Sequence, residues 1–378
     1  MSNSYAITFT TINAPIVLES YFGNLEYYGH LQDTLFVIVG DKKTPNQDVR
    51  DICESLGAKG MQIAYLDMAE QLKLAATPLY ADVIHMLKWD SDVRRNIGYL
   101  YAAAQGADVI ISIDDDNYAL PQHDYIGNHS IVGTVPDVDT ATSKNGWLNV
   151  CQMLDFGINR PIYPRGFLVT KMHEDTFDWG AANSKVVAAN SGLWTLSPDV
   201  DAITNIVLWP TSKGYTSWMK QVALGPDTWC PLNSQNTSVM RQALPAFFFI
   251  PQGFKYNHQT IDRYGDIWMG FLVEKVAQHM GQTVTYGAPL VAHLRNKHNY
   301  IKDLGMEVGG MVLNEQIARW IIDAEIPAEC DTYAAAYMKL MRIVSQRARD
   351  TLDSDAGMYF QWLVQWAETW CEACSKVL

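Results

Sequence analysis

One stretch constrains the fold of this chain more than any other: Val109–Ile113, followed at once by Asp114, Asp115 and Asp116. The first five residues are mostly β-branched and show no polar alternation, which is typical of a strand buried on both faces of a parallel sheet. Three adjacent carboxylates repel one another unless a cation or hydrogen bonds hold them. Because parallel sheets bind ligands at the carboxyl ends of their strands, the stretch predicts a divalent-metal site at that edge of an α/β sheet.

The flanking segments predict the rest of such a sheet. Strand-like residues 6–12, 34–39 and 62–66 are separated by helical spacing, first over residues 16–28. A second helical pattern over residues 93–104 leads directly into the acidic strand. This alternation of strands and helices is typical of an α/β fold with a mostly parallel sheet.

The helix before the acidic strand carries Arg94 and Arg95 near its N-terminus. Two guanidinium groups beside free backbone N–H groups can hold a diphosphate that faces a metal ion. The alternative is a pair of solvated surface arginines, and the sequence leaves the two interpretations about level.

Composition narrows the class of protein. Of the 378 residues 48% are hydrophobic and 18% charged, so a large core is expected, and the net charge of −13 argues against nucleic-acid or anionic-membrane binding. The N-terminus lacks the features of a signal peptide, and no apolar run approaches the roughly 20 residues of a membrane span. Six scattered cysteines suit reduced thiols. A cytoplasmic protein is therefore expected.

The acidic triplet indicates a hard divalent cation, Mn²⁺ or Mg²⁺, which keeps positions open for phosphate oxygens. His293 ends a later apolar strand and is followed by Arg295, Lys297 and His298, so it is a candidate third ligand. A histidine at a strand end is more often structural. The alternative interpretation of the acidic triplet is a capped, solvent-exposed turn that binds no metal. Asp266 precedes a helix and is either a general base or an N-cap.

Further along, the pattern predicts a long loop over residues 119–155 and a strand over 186–196 that is interrupted by Gly192, where backbone can approach a ligand closely. Residues 267–280 have helical character, and two last strands are expected at 283–286 and 290–293.

The C-terminal part changes character. We predict a catalytic domain over residues 1–310 and a helical extension over 311–378, which carries an aromatic stripe from Tyr359 to Trp370. This stripe is typical of a face that packs on the core or on another subunit, so a homo-oligomer formed through the tail is one expectation. Phosphate-binding and nucleophile-elbow motifs such as G-x-x-x-x-G-K-[ST], G-x-G-x-x-G and G-x-S-x-G are missing, which favours nucleotide binding through a metal.

Several stretches together resemble the reversibly glycosylated polypeptide family, also known as UDP-arabinopyranose mutases. The matching stretches are Ser112–Asp116, Ser191–Trp194 with Pro198–Thr204, and Arg263–Gly270, with weaker matches at Arg95, Gly98-Tyr99, Arg165-Gly166, Asn236, Gly287–Pro289 and His293. They occur in order over roughly residues 6 to 300, and the set is far more specific than any one motif.

The resemblance implies a glycosyltransferase A-type fold, a nucleotide-diphosphate-sugar donor and a metal held by the Asp triplet. Family members also become reversibly glycosylated on an arginine between the triplet and the Gly-Leu-Trp motif, a region in which this chain has Arg160 and Arg165. Gly265 replaces one acid of the family's second acidic pair, and residues beyond about 310 have no clear family match. The chain is therefore interpreted as a divergent member.

These observations combine into a metal-dependent glycosyltransferase, with a UDP-sugar as the expected donor and an unidentified acceptor. Asp114, Asp116 and His293 are expected to hold the metal, and Arg94, Arg95 and Arg295 to bind the diphosphate. Thr10, Thr11 and Asp41 would frame the nucleoside, and Asp115 would contact the ribose or the sugar. Asp266 would deprotonate or orient the acceptor, and Trp194, Trp268 and the family-matched Asn236 would belong to the substrate pocket. Two alternatives stay open: a mutase that is glycosylated at Arg160 or Arg165, and a non-catalytic nucleotide-sugar-binding subunit.

Overall fold

The computed structural model describes residues 4–173, 177–216, 221–296 and 299–378, and shows one large mixed sheet with helices on its faces. The strands are β1 (Tyr5–Thr11), β2 (Thr34–Gly40), β3 (Gln62–Leu66), β4 (Val109–Ile113), β5 (Asn117–Ala119), β6 (Asp139–Ser143), β7 (Phe177–Ala182), β8 (Val187–Leu196), β9 (Val222–Leu224), β10 (Asn236–Met240), β11 (Phe254–Tyr256), β12 (Gln259–Ile261) and β13 (Thr283–His293). The helices are α1 (Leu18–Tyr28), α2 (Asn46–Gly57), α3 (Met68–Ala75), α4 (Ala81–Met86), α5 (Arg95–Ala104), α6 (Tyr125–His129), α7 (Ala202–Leu208), α8 (Gly265–His279), α9 (Tyr300–Ile322), α10 (Tyr333–Thr351) and α11 (Ser354–Ser375). Short 3₁₀ turns lie at Asp92–Arg94, Val150–Met153, Val169–Lys171 and Arg241–Ala246.

The central strands follow the order β3-β2-β1-β4-β10-β8-β13. All of these except β10 run in one direction, because β10 pairs antiparallel with both β4 and β8. The predicted mostly parallel α/β sheet with flanking helices is therefore confirmed. The carboxyl ends of β1, β2 and β4 lie side by side, which brings Thr11, Gly40 and the acidic triplet to one edge.

The buried strands are where the residue pattern predicts them. Both β2 and β4 are buried along their whole length, as expected for runs without polar alternation. The helix before β4 begins with a 3₁₀ turn whose start is capped by Ser91 Oγ, and α5 follows from Arg95. Its face toward the sheet carries Gly98, where an added Cβ would lie 2.1 Å from Thr8 Oγ1, so α5 packs closely on β1.

Three local predictions are corrected. The last two predicted strands are one strand, β13, with an irregularity between Gly287 and Leu290. β8 is continuous through Gly192, where the close neighbours are the side chain of Asn236 and the carbonyl oxygen of Pro289 rather than a ligand. The predicted long loop over residues 119–155 contains the short helix α6 and strand β6. β6 forms because it pairs with β7 and β9, which lie later in the sequence.

The predicted C-terminal helical extension is confirmed as the last part of α9 together with α10 and α11. The aromatic stripe packs partly on the α/β part of the chain: the Tyr359 ring stacks on Phe254 at 3.8 Å between centroids, and Trp370 stacks on Phe248 at 5.5 Å. Trp362 is half exposed. One hydrophobic core cluster joins both parts of the chain, and α9 runs across the predicted boundary at residues 310–311. The division into two domains stays a prediction.

Among the helices that the structure describes, none is both long and apolar enough to cross a membrane.

Candidate functional site

Two adjoining cavities open at the carboxyl edge of the parallel strands. The first, which we call the α8 cavity because the start of α8 lines it, has a volume of about 440 Å³. The second, the β1 cavity, has about 700 Å³ and is lined by the end of β1. Six residues line both cavities and form the boundary between them: Asp90, Ser91, Asp92, Arg95, Asp114 and Asp116. Both volumes fall in the range of small-molecule sites, and the acidic triplet lies at their junction.

Arg95 is the cation of this boundary and is held by hydrogen bonds to Asp114 and Ser234. Its Nη2 donates to Asp114 Oδ1 at 2.9 Å, and its Nη1 donates to Ser234 Oγ at 2.8 Å. The guanidinium also lies over the Phe249 ring at 4.9 Å from the centroid. Burial on its own would lower the pKa of Arg95, but the Asp114 carboxylate raises it above its ordinary value. A permanently charged group is thus fixed between the two cavities.

Asp116 pairs with His293, as the sequence predicts, across the ends of β4 and β13. His293 Nδ1 donates to the Ser197 carbonyl oxygen at 2.7 Å, because a carbonyl can only accept. Its Nε2 therefore faces Asp116 Oδ1, 3.4 Å away. With Nδ1 protonated, the Nε2 lone pair accepts from Gln235 Nε2 at 3.1 Å, and a proton or a cation between Nε2 and Asp116 Oδ1 would join the pair in place of that hydrogen bond. The carbonyl contact at Nδ1 is typical of a metal-binding histidine.

The pKa values of the acids differ with their partners. Burial alone would raise the pKa of Asp116, but the hydrogen bond and charge of His293, with the Asn296 backbone N–H, hold it below its usual value. Burial raises the pKa of Asp114 in spite of the adjoining Arg95. Asp116 is thus the better prepared of the two to carry negative charge.

The predicted three-ligand group is only partly assembled. Asp114 is turned toward Arg95, whereas Asp116 and His293 face each other. Within the described ranges, no three His, Cys, Asp or Glu side chains are grouped so that they could hold a metal ion between them. The donor chemistry of Asp116 and His293 nevertheless fits Mn²⁺ or Mg²⁺ that takes its other ligands from a bound diphosphate or water.

Asp115 points to the β1 cavity, where the structure brings together the residues predicted to frame a nucleoside. Its Oδ2 accepts from Thr11 Oγ1 at 2.6 Å and from Asn13 Nδ2 at 3.2 Å. Thr10 and Asp41 line the same cavity. Both carboxylate oxygens of Asp41 accept backbone N–H groups, from Lys42 and Ser91, so Asp41 holds the wall in place.

Asp266 lines the α8 cavity and is paired with Arg165. The guanidinium lies between two carboxylates: it forms one bidentate pair with Asp199, at 3.0 and 3.1 Å, and another with Asp266, at 3.1 and 2.7 Å. Nη1 also donates to the Arg263 carbonyl oxygen. All five N–H groups of Arg165 are thereby used.

Burial alone would lower the pKa of Arg165, but the carboxylates of Asp199 and Asp266 raise it well above its ordinary value. The guanidinium is therefore protonated and has no lone pair to offer. Arg160, the other candidate for glycosylation, is exposed and lines a separate surface groove that shares no residue with the two cavities.

Three buried polar atoms without a hydrogen-bond partner belong to residues that line the α8 cavity. They are Gln235 Oε1, Gln252 Nε2 and Arg295 Nη1, out of eight such atoms in the described part of the chain. An unpaired buried polar atom costs about 1–3 kcal/mol. A polar ligand or an ordered water in the cavity would supply the missing partners. Lys297 and His298, which follow Arg295, lie outside the described residues.

Four predicted site residues are structural instead. Arg94 is buried away from both cavities, where it donates to Gln71 Oε1 and the Leu87 carbonyl oxygen, and burial lowers its pKa to about 10. Trp268 is a core residue whose Nε1 donates to Asn314 Oδ1, and Trp194 is buried in β8 and lines neither cavity. Arg94 and Arg95 are consecutive residues at the start of a helix, so their side chains point to different faces. Only Arg95 faces the cavities.

The fourth, Asn236, belongs to a set of hydrogen-bonded, buried polar side chains that we call the His129 network: Tyr125, His129, Asn190, Asn236, Ser238 and Thr285. Asn236 Oδ1 accepts from Tyr125 and from His129 Nε2, and its Nδ2 donates to the Pro289 carbonyl oxygen. Every polar side chain in this network has a partner, and burial lowers the pKa of His129 to about 3. The network therefore stabilises the sheet and has no free group for a ligand.

The sequence reasoning gave no role to Asp199, Gln235, Gln252 and Arg263, all of which line the α8 cavity. Asp199 and Arg263 lie inside the stretches that resemble the family, and that resemblance is the sequence signal that could have identified them as site residues. Arg263 has φ +60°, and its Nε donates to Glu307 of α9, so it joins the cavity wall to the C-terminal helices.

Residues 177–377, just over half of the chain, match the family model described as reversibly glycosylated polypeptide. The chain belongs to this family. The acidic triplet, Arg160 and Arg165 lie outside the matched stretch, so the geometry above is the observation that supports roles for them in this family member.

Individual relatives agree with the assignment. The chain is 28% identical to UDP-arabinopyranose mutase 3 of Arabidopsis thaliana over 193 residues, which cover 51% of each protein. It is 29% identical to UDP-arabinopyranose mutase 1 of the same plant over 192 residues, covering 50% of this chain and 51% of the relative. The matched part thus spans about half the length of these curated relatives.

Solved structures that the comparison matches to this chain include glucosyl-3-phosphoglycerate synthase of Mycobacterium tuberculosis in complex with Mn²⁺, UDP-glucose and phosphoglyceric acid, with a TM-score of 0.39, 10% identity, and coverage of 84% of this chain and 80% of that one. A mannosyltransferase of Pyrobaculum calidifontis in complex with GDP-mannose and Mn²⁺ has a TM-score of 0.39 and 12% identity, with 99% and 86% of the chains covered. These TM-scores are too low to support a comparison of sites.

Proposed function

We propose that this family member is a divalent-metal-dependent glycosyltransferase that uses a nucleotide-diphosphate sugar, with UDP as the nucleotide. One observation carries the proposal: two cavities meet at a boundary that holds Arg95, Asp114 and Asp116, beside the Asp116–His293 pair. A ligand with two neutral ends and an anionic centre matches this arrangement. The nucleoside would occupy the β1 cavity, the diphosphate the boundary, and the glycosyl group the α8 cavity.

The boundary supplies the groups that a diphosphate needs. Asp116 and His293 would hold Mn²⁺ or Mg²⁺, which neutralises charge on the leaving nucleotide diphosphate when bound. Arg95 is a fixed cation there, and Arg295 contributes an unpaired Nη1. Charged donors that are already in position cost no reorganisation when negative charge develops on the leaving oxygen.

Asp266 is the residue we assign to the acceptor. A carboxylate offers about four lone-pair sites, and those of Asp266 accept from Arg165 Nη1, Arg165 Nη2 and Ile267 N. The remaining site on Oδ2 can accept the proton of an acceptor hydroxyl. In that step the acceptor oxygen bonds to the anomeric carbon, the bond from that carbon to the diphosphate breaks, and the hydroxyl proton passes to Asp266.

The second candidate is a UDP-sugar mutase, which the names of the curated relatives favour. The paired state of Arg165 and the separate position of Arg160 support transfer over self-glycosylation of either arginine.

Incubation with a radiolabelled UDP-sugar and Mn²⁺ separates the candidates. We expect label to pass to an added sugar or polyol acceptor, and Asp266→Asn to abolish that transfer while UDP still binds. Label retained on Arg160 or Arg165, together with a ring-isomerised UDP-sugar, would establish the mutase instead. Binding of UDP-sugar without any turnover, in the presence of a broad acceptor panel, would show instead that the protein is a non-catalytic nucleotide-sugar-binding subunit.

We also propose that the protein is cytoplasmic and that it forms a homo-oligomer through the helical tail, on which Trp362 is half exposed. Size-exclusion chromatography with light scattering tests the second: removal of the exposed aromatic at Trp362 by substitution with Ser is expected to favour the monomer.

A further inference from the structure

Two carboxamide side chains of residues that line the α8 cavity have a fixed orientation, and one atom of each is buried without a partner. Gln252 Oε1 accepts from the Tyr264 backbone N–H at 2.8 Å. Since a backbone N–H can only donate, the oxygen of this amide must face Tyr264, and Nε2 is left as the unpaired atom.

The same reasoning fixes Gln235. Asn117 Nδ2 donates to the backbone carbonyl oxygen of Gln235 at 3.0 Å. The other atom of this amide, Asn117 Oδ1, must therefore face the Gln235 side chain. Gln235 Nε2 donates to that oxygen at 3.2 Å, and Oε1 is left unpaired. The wall of the cavity therefore holds one unused, buried donor of Gln252 and one unused, buried acceptor of Gln235.

The backbone that carries Gln252 is held in place before any ligand binds. Asn96 of α5 makes two hydrogen bonds of 2.9 Å with the backbone of Phe249. Lys88 Nζ donates to the Gln252 carbonyl oxygen at 2.9 Å. A side chain on such a supported segment can select between ligands that differ by a single hydroxyl group, because little freedom is lost on binding.

The chemistry of the unpaired atoms selects a class of ligand group. A phosphate oxygen only accepts, so it leaves Gln235 Oε1 without a partner. A sugar hydroxyl both donates and accepts, and it can satisfy either amide. Gln252 lines only the α8 cavity and lies outside the lining of the β1 cavity, so it is separated from the end that Thr10, Thr11 and Asp41 frame.

We propose that Gln252 selects the sugar that occupies the α8 cavity by donating from Nε2 to one of its oxygens. This inference rests on the proposed nucleotide-sugar function and adds a specificity-determining residue to it. Its basis is that a site built to hydrogen-bond a hydroxyl rejects an analogue that lacks it, because the protein atom is then left unpaired.

The test is calorimetric titration of the full chain in Mn²⁺ buffer with UDP, UDP-glucose, UDP-galactose and UDP-arabinopyranose. The readout is the ratio of the Kd for UDP to the Kd for each UDP-sugar, which isolates the contribution of the sugar. Gln252→Met is expected to lower this ratio for the preferred sugar by about 5- to 10-fold and to leave UDP affinity within about twofold of wild type. Gln361→Met, on the exposed side of α11, is the matched control and should change neither.

A second variant separates folding from selection. Gln252→Glu keeps an oxygen for the Tyr264 N–H but replaces the donor with an acceptor and adds a negative charge to a cavity lined by several carboxylates, so its thermal unfolding midpoint should fall. Thermal unfolding gives the temperature range in which this variant is folded, and in that range the order of affinities across the sugars should change. An unchanged ratio and order in both variants would overturn the inference while UDP-sugar binding by wild type upholds the proposed function. An effect confined to the KM of an acceptor would also overturn it. A wild-type chain that binds none of the four ligands would overturn the proposed function and this inference with it.

Discussion

The walls of the α8 cavity and the His129 network are both rich in buried polar side chains, yet they differ in how those groups are satisfied. In the network every polar side chain has a partner within the protein. Around the cavity Arg165 is paired with Asp199 and Asp266, whereas Gln235, Gln252 and Arg295 each have one buried atom without a partner. The difference teaches that polarity and burial alone do not mark the ligand site. Unpaired atoms mark it only where their residues also line a cavity, because five of the eight such atoms in the described residues lie elsewhere.

The largest expected effect concerns the paired charges of the cavity wall. Arg165→Ala leaves Asp199 and Asp266 buried without their cation, and we expect a loss of about 3–5 kcal/mol in the free energy of unfolding measured by urea denaturation. Arg160→Ala, at an exposed position, should stay within about 0.5 kcal/mol of wild type. A loss for Arg165→Ala no larger than that of the control would show that the cluster does not support the fold.

The next effect concerns the network. Asn236→Ala removes the acceptor for Tyr125 and for His129 Nε2 and leaves both donors buried without a partner, which we expect to cost about 2–4 kcal/mol of unfolding free energy. The UDP affinity of the folded protein should remain within about twofold of wild type, because Asn236 touches neither cavity. A large loss of UDP affinity with little loss of stability would reverse the assignment of the two regions.

How far the sequence predicts this comparison depends on the kind of signal. The acidic triplet and His293 follow from strand ends, which the hydrophobic runs locate well. Asn236 and Gln235 are neighbours in an extended segment, and adjacent side chains there face opposite ways, so a motif match to one does not tell which of them meets the ligand. Gln252 is on an irregular segment whose position depends on contacts with Lys88 and Asn96, distant in sequence, and no local pattern encodes it.

An effect that is spread over pH also separates the regions. Burial lowers the pKa of His129 to about 3, below its unfolded value of about 6.5. Its stabilising contribution is therefore complete above pH 6.5 and is lost as the pH falls toward 3, by about 1.4 kcal/mol per pH unit. Urea titrations between pH 7 and pH 4 should show His129→Gln with a correspondingly flatter dependence than wild type. Parallel curves for the two proteins would mean that His129 is not held neutral by the fold.

The central claim is that the boundary between the cavities binds a nucleotide diphosphate through a divalent cation at Asp116 and His293. Calorimetric titration with UDP, in Mn²⁺ and again in excess EDTA, tests it most directly, with Asp116→Asn as the variant and Asp108→Asn, an exposed aspartate outside both cavities, as the control. We predict that wild type and the control lose at least about tenfold in UDP affinity when the metal is removed, about 1.4 kcal/mol, and that Asp116→Asn binds weakly in both buffers. Equal UDP affinity of the wild-type chain with and without Mn²⁺, or an Asp116→Asn variant that keeps the full metal dependence, would contradict the account.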